Sequence, residues 1–168
     1  MKKLLIIVDM QNDFVTGTLA NEAAEKIVDK IAKYAENFDG DIMFTRDTHT
    51  KDYMNTQEGK NLPVQHCIQN TYGWQIVDAL KDIPGRHYNK PTFGSIELAK
   101  ELRRNYADAE IYFVGTCTGI CVLSNAIMAK AFVPEAKLFV LQDLCACVTE
   151  ETHKTALKSM ELCHINII

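Results

Sequence analysis

Short apolar runs alternate with amphipathic stretches along the chain, and the alternation predicts a β/α repeat. Residues 4–8, LLIIV, form a continuous leucine and β-branched run, the composition of a strand buried on both faces. Over 21–36, Ala24, Ile27, Val28, Ile31, Tyr34 and Ala35 fall on one helical stripe. A second strand is predicted at 41–45, followed by a long polar connection and a short helix around 75–80 carrying Ile76, Val77 and Leu80. Residues 86–89 make a brief strand. Ser95 can cap a helix whose inner face is Ile96, Ala99 and Leu102. Strands follow at 111–115, 137–142 and 164–168, with helices at 120–132 and 150–163; the first of these helices is almost wholly apolar and therefore central. Such a repeat with short connections calls for a three-layer α/β fold, a mostly parallel, doubly wound sheet with helices on both faces.

Length and composition narrow the classes. At 168 residues, 47% hydrophobic and 24% charged, residues 1–168 fit one globular domain. A net charge of −4 argues against nucleic acid or an anionic membrane as partner, and no apolar run reaches the ~18 residues of a membrane span. The N-terminus resembles a signal peptide only until Asp9 and Asp13 interrupt it, so it reads as a strand. The six cysteines could form a disulfide framework or remain free. Several sit in apolar runs, and a chain of this size builds its own core, which favours free thiols and a cytoplasmic setting.

Ligands of open α/β sheets bind beyond the carboxyl ends of the strands. Asp9 ends the first predicted strand, Asp47 and His49 follow the second, and Lys90 ends the third. Cys121 follows the fourth after a turn with two glycines, GTCTGIC. A thiol at a helix N-terminus can be held as thiolate, so Cys121 is the candidate nucleophile, with a buried structural cysteine as the bland alternative. Asp9 could exchange a proton with it or merely cap a turn, and Lys90 could bridge the two or be a surface charge. Asp47, His49, Glu58 and His66 form a second group of nitrogen and oxygen donors, suited to zinc, manganese or iron. Loops are rich in such residues anyway, and Cys67 beside His66 reads as packing. Phe14 and Trp74 can stack on an aromatic substrate, although Trp74 could instead anchor the helix that follows it.

Taken together these residues resemble the isochorismatase-like cysteine hydrolase superfamily, and within it the nicotinamidases. The resemblance spans VDMQNDF at 8–14, TRDTH at 45–49, LPVQHCIQNTYGW at 62–74, NKPTFGS at 89–95, VGTCTGICVLSNA at 114–126 and LQDLCACVTEETHKTAL at 141–157. It implies a catalytic Asp9, Lys90 and Cys121, with Cys121 attacking an amide to form a thioester. It also implies a cis peptide at Thr116–Cys117 that turns the backbone N–H groups of Cys117 and Cys121 toward an oxyanion. A divalent metal is implied on Asp47, His49, Glu58 and His66. Asn55 stands six after His49 where many relatives carry histidine, and Glu58 takes the place of the glutamate some use instead. Pro63 and Val64 replace an aromatic familiar in that stretch, which implies a more open or differently lined pocket.

The expected activity is hydrolysis of nicotinamide to nicotinic acid and ammonia. The alternative is hydrolysis of another small amide, ureide or enol ether. Two further readings are a catalytically silent binding member of the fold and a thiol-redox function through Cys117 and Cys121. Assembly into a homo-oligomer is expected from the same resemblance.

Overall fold

A computed structural model describes residues 1–168. The strands are β1 (Lys3–Val8), β2 (Asp41–Asp47), β3 (Arg86–Lys90), β4 (Glu110–Thr116), β5 (Lys137–Ala146) and β6 (Asn166–Ile167). They form one sheet in the order β3-β2-β1-β4-β5-β6, and every pairing is parallel. The helices are α1 (Asn12–Val15), α2 (Glu22–Glu36), α3 (Gln57–Asn61), α4 (Ile96–Asn105), α5 (Leu123–Phe132) and α6 (Glu150–Leu162).

The LLIIV run explains the layering. Side chains alternate across a strand, so Leu4, Ile6 and Val8 enter one apolar cluster while Leu5 and Ile7 enter the other. All five are fully buried. The first cluster takes Leu98 and Leu102 of α4, Ala126 and Ala129 of α5, and Leu157 and Met160 of α6. The second takes Ala24, Ile27, Ile31 and Ala35 of α2, which is the stripe the sequence displays. Helices thus cover both faces, as a parallel sheet requires.

This strand order changes direction between β1 and β4, and ligands of such sheets bind at that switch point. The backbone is specialised there. Gly115 has φ +118°, and a Cβ on it would lie 2.2 Å from the carbonyl oxygen of Val8. Only glycine lets β4 approach β1 so closely before the chain turns. On the opposing strand Asp9 adopts φ 50°, a left-handed conformation that aspartate tolerates better than most residues.

Several elements differ from expectation. Residues 75–80 form turns rather than a helix: Gln11 bridges Ile76 in antiparallel fashion, and Val77 N–H donates to the Met10 carbonyl. Ile76, Val77 and Leu80 are buried as the pattern suggests, but their backbone is satisfied by the loop after β1. The polar connection contains a 3₁₀ turn (Tyr53–Asn55) and α3, while β5 runs on to Ala146 and β6 is only two residues long. No helix is long and apolar enough to cross a membrane.

Candidate active site

Each strand end at the switch point delivers one reactive side chain. Asp9 follows β1, Asp47 closes β2, Lys90 closes β3, and Cys121 lies in the turn after β4. That turn is a π-helical segment (Thr118–Val122), in which Val122 N–H donates to the Cys117 carbonyl five residues back. Single π turns are rare and concentrate at functional sites. The peptide before it, Thr116–Cys117, is cis. Asn125, one turn into the helix, accepts from Ser95 N–H at 3.0 Å and donates to the carbonyls of Cys121 (2.7 Å) and Phe93 (3.1 Å). Its three bonds fix the turn against the segment after β3.

The three candidate catalytic groups converge. Lys90 Nζ lies 2.6 Å from Asp9 Oδ2 and 3.5 Å from Cys121 Sγ, and it donates to the Thr92 carbonyl at 3.1 Å. Thr45 Oγ1 donates to the other Asp9 oxygen at 2.7 Å. All three groups are buried. Burial pushes the Asp9 carboxyl up from its ordinary range, and Lys90 offsets only part of that. Burial alone would depress Lys90, but the neighbouring Asp9 and Asp47 carboxylates and the adjacent Cys121 hold it above the ordinary lysine range, so it remains an ammonium. Burial and the adjacent Asp9 charge raise the Cys121 thiol well above the ordinary value. The arrangement is a buried cation with a carboxylate on one side and a protonated thiol on the other.

A second cluster adjoins it. His49 Nε2 lies 2.9 Å and His66 Nε2 3.3 Å from Asp47 Oδ2, and Glu58 Oε1 is 3.7 and 3.8 Å from the same two nitrogens. One donor atom from each of these four residues lies within 4.8 Å of all the others. The second Asp47 oxygen is buried without a hydrogen-bond partner. His66 Nδ1 donates to the Val64 carbonyl at 2.8 Å, leaving Nε2 for the cluster; such an outer bond is usual in metal-binding histidines. Tyr53, fully buried, packs its ring 4.7 Å from that of His49 and 5.0 Å from that of His66. Burial raises Asp47, but hydrogen bonds from the two histidines outweigh it and hold the carboxyl well below its usual range. Glu58 is shifted up by burial and by the Asp47 charge. Two imidazoles and two carboxylates without thiolate fit a divalent cation of the zinc, manganese or iron type.

Asp47, Glu58, His66, Cys117 and Cys121 line a cavity of about 870 Å³, whose walls include Phe14, Leu19, Phe93 and Ile120. Phe14 is thus part of that wall. Trp74 is not: its indole N–H donates to Thr48 Oγ1 at 2.8 Å, and Arg46 stacks over its ring at 4.0 Å. It ties this connection back to the end of β2, and the helix it was expected to anchor does not form. Cys67 is buried outside the four-residue cluster, its N–H donating to Asp13 Oδ2.

The pattern of strand ends did not single out Gln11, Thr45, Tyr53 or Asn125. Gln11 pairs its carboxamide with both backbone groups of Asp47, at 2.9 and 2.8 Å, which seats that carboxylate. Asn125 had a legible signal: one amide in an apolar helix must find partners when buried.

The isochorismatase domain family model matches residues 3–168. The chain is 29% identical to the nicotinamidase of Saccharomyces cerevisiae, over 76% of this chain and 81% of that protein. It superposes on a pyrazinamidase of Pyrococcus horikoshii, solved in complex with zinc, with a TM-score of 0.85 and 29% identity, covering 100% of this chain and 99% of that one. A pyrazinamidase/nicotinamidase from Streptococcus mutans UA159 superposes with a TM-score of 0.84 and 26% identity, over 99% and 100% of the two chains. Fold, site and relatives together define a hydrolase acting on amide C–N bonds. The chain belongs to the isochorismatase family.

Proposed function

We propose that the protein hydrolyses nicotinamide to nicotinic acid and ammonia through a thioester on Cys121. The observation that carries this reading is Lys90, which touches Asp9, Cys121 and Asp47 at once and so joins an acid–thiol pair to a metal-type cluster. Nicotinamidase and pyrazinamidase relatives, one of them with zinc, support the substrate class.

In this mechanism Asp9 receives the Cys121 proton as sulfur attacks the carboxamide carbon. The raised proton affinity of Asp9 suits that transfer and the return of the proton to departing ammonia. Lys90 keeps a positive charge beside both groups throughout. The backbone N–H of Cys117, which no backbone acceptor takes, and that of Cys121 serve the developing oxyanion. Asp9 then deprotonates a water that cleaves the thioester. Asp47, His49, Glu58 and His66 would hold a divalent ion, which when bound supplies a Lewis acid for the pyridine nitrogen. Phe14 would pack against the ring.

Ammonia release from nicotinamide by purified protein, with added zinc and with chelator, tests the reading. Turnover that chelator suppresses supports it, and no turnover at high enzyme concentration removes nicotinamide as substrate. A second reading, another small amide, ureide or enol ether, draws support from the cavity itself. Its volume and partly exposed apolar residues Leu62, Phe93 and Ile120 exceed what one pyridine ring covers. A panel of such compounds in the same assay separates the two.

A further inference from the structure

Cys117 and Cys147 bring their sulfurs to 2.8 Å, with the Cys117 thiol directed at Cys147. The sheet imposes this. Gly115 and Thr116 of β4 stand in register with Cys145 and Ala146 of β5, so the next residue beyond each strand is Cys117 on one side and Cys147 on the other. Neighbouring strands run ~4.8 Å apart, inside the ~4.4–6.8 Å Cα separation that a disulfide spans. The partner of the Cys117 sulfur is therefore Cys147 and not Cys121, whose own sulfur faces Lys90.

The two thiols differ in character. Thr152 Oγ1 donates to Cys147 Sγ at 3.3 Å, and Cys147 lies two residues before Thr149, the N-cap of the 13-residue helix α6. Hydroxyl donation and the positive helix end both favour a sulfur anion. Burial opposes ionisation of Cys147, but the hydrogen bonds from Cys117 and Thr152 outweigh it and lower its pKa. Cys117 is pushed up to about 12 by burial and by its neighbour Cys147. Cys117 also lines the cavity, so a small oxidant that enters reaches the pair.

We propose that Cys117 and Cys147 form a reversible disulfide on exposure to a peroxide, a modification site on the cavity wall separate from the Cys121 thiol. In the net step the two thiols give up two protons and two electrons and an S–S bond forms. The peroxide O–O bond breaks, and for hydrogen peroxide two waters leave. A small dithiol reverses the step.

The test treats the full chain with stoichiometric hydrogen peroxide, alkylates the remaining thiols with iodoacetamide and maps the digested peptides by mass spectrometry. The expected result is loss of two of the six free thiols, a linked pair of peptides carrying Cys117 and Cys147, a Cys121 that still alkylates, and recovery of all thiols with dithiothreitol. A Cys117–Cys121 link, unchanged thiols, or oxidation of Cys121 ahead of the pair would each overturn the proposal. Cys147→Ser, folded by circular dichroism, should retain its other five thiols under the same treatment; continued loss of Cys117 in an intramolecular link would count against it. Should that variant fail to fold, the mapping of the unaltered chain decides alone.

Discussion

Asp47 and Lys90 stand 3.6 Å apart, carboxylate to ammonium, and this contact makes the two clusters of the site one electrostatic unit. The oxygen of Asp47 that faces the histidines and the one that faces Lys90 belong to the same buried group. Substituting Asp47→Asn should therefore act on both sides. Zinc affinity measured by calorimetry should fall by at least ~100-fold, since even outer partners of metal ligands are worth 10–100-fold. Cys121 should alkylate faster, because one of the negative charges that raises its pKa is gone. An unchanged alkylation rate would show that the clusters are electrically independent.

Asp9 allows chemistry and acidity to be separated. Asp9→Asn should cost turnover about 10²–10⁴-fold, the usual worth of a positioned acid–base group. The same substitution removes the charge that raises the thiol, so iodoacetamide should modify Cys121 faster at a given pH. Slower alkylation would mean that Asp9 already acts as base in the free protein.

The raised Cys121 thiol gives a pH dependence of definite sign. Below its pKa the thiolate fraction rises about tenfold per unit. Alkylation of Cys121 in the metal-free protein should thus keep increasing through pH 9, where an ordinary thiol of pKa ~8.5 is already levelling off. A plateau near pH 7 would contradict the burial argument.

Lys90→Ala should destabilise the fold as well as stop turnover. It leaves Asp9 and Asp47 as buried charges without their cation, and breaking such a pair costs about 3–5 kcal/mol. Urea unfolding monitored by circular dichroism measures the loss, and a stability change under about 1 kcal/mol would show that water replaces the ammonium.

Asn125→Ala should destabilise by about 1–3 kcal/mol, because Ser95 N–H and the Cys121 carbonyl lose their partner in a dry environment. Turnover should fall further than stability alone explains, since the turn carrying Cys121 loses its anchor. Activity at full occupancy of the folded state is the discriminating measurement.

What the sequence discloses about this molecule follows from the range of the interactions involved. Strand and helix periodicity is local, so LLIIV and the 21–36 stripe are legible; strand ends make Asp9, Lys90 and Cys121 candidates, and the resemblance gives them their roles. Trp74 and the 75–80 segment are not legible in this way. Their hydrogen bonds go to Thr48 and Met10, partners remote in sequence that no local pattern specifies. The same holds for Cys147, whose neighbour is set by strand register between β4 and β5. The metal-type cluster is legible as a group of nitrogen and oxygen donors, but a loop of Asp, His and Glu has many innocent causes, and the resemblance is what gives it weight.

The switch point assembles its chemistry from positions 9, 47, 90 and 121, each at or just beyond the end of a different strand. No short fragment of the chain contains the site: β1, β2, β3 and β4 must all be docked before the Lys90 ammonium meets Asp9, Asp47 and Cys121. Turnover is therefore a report on the docking of these four strands. Under mild denaturant, activity should vanish with the cooperative loss of the sheet rather than ahead of it, so that a simple ammonia assay counts native molecules.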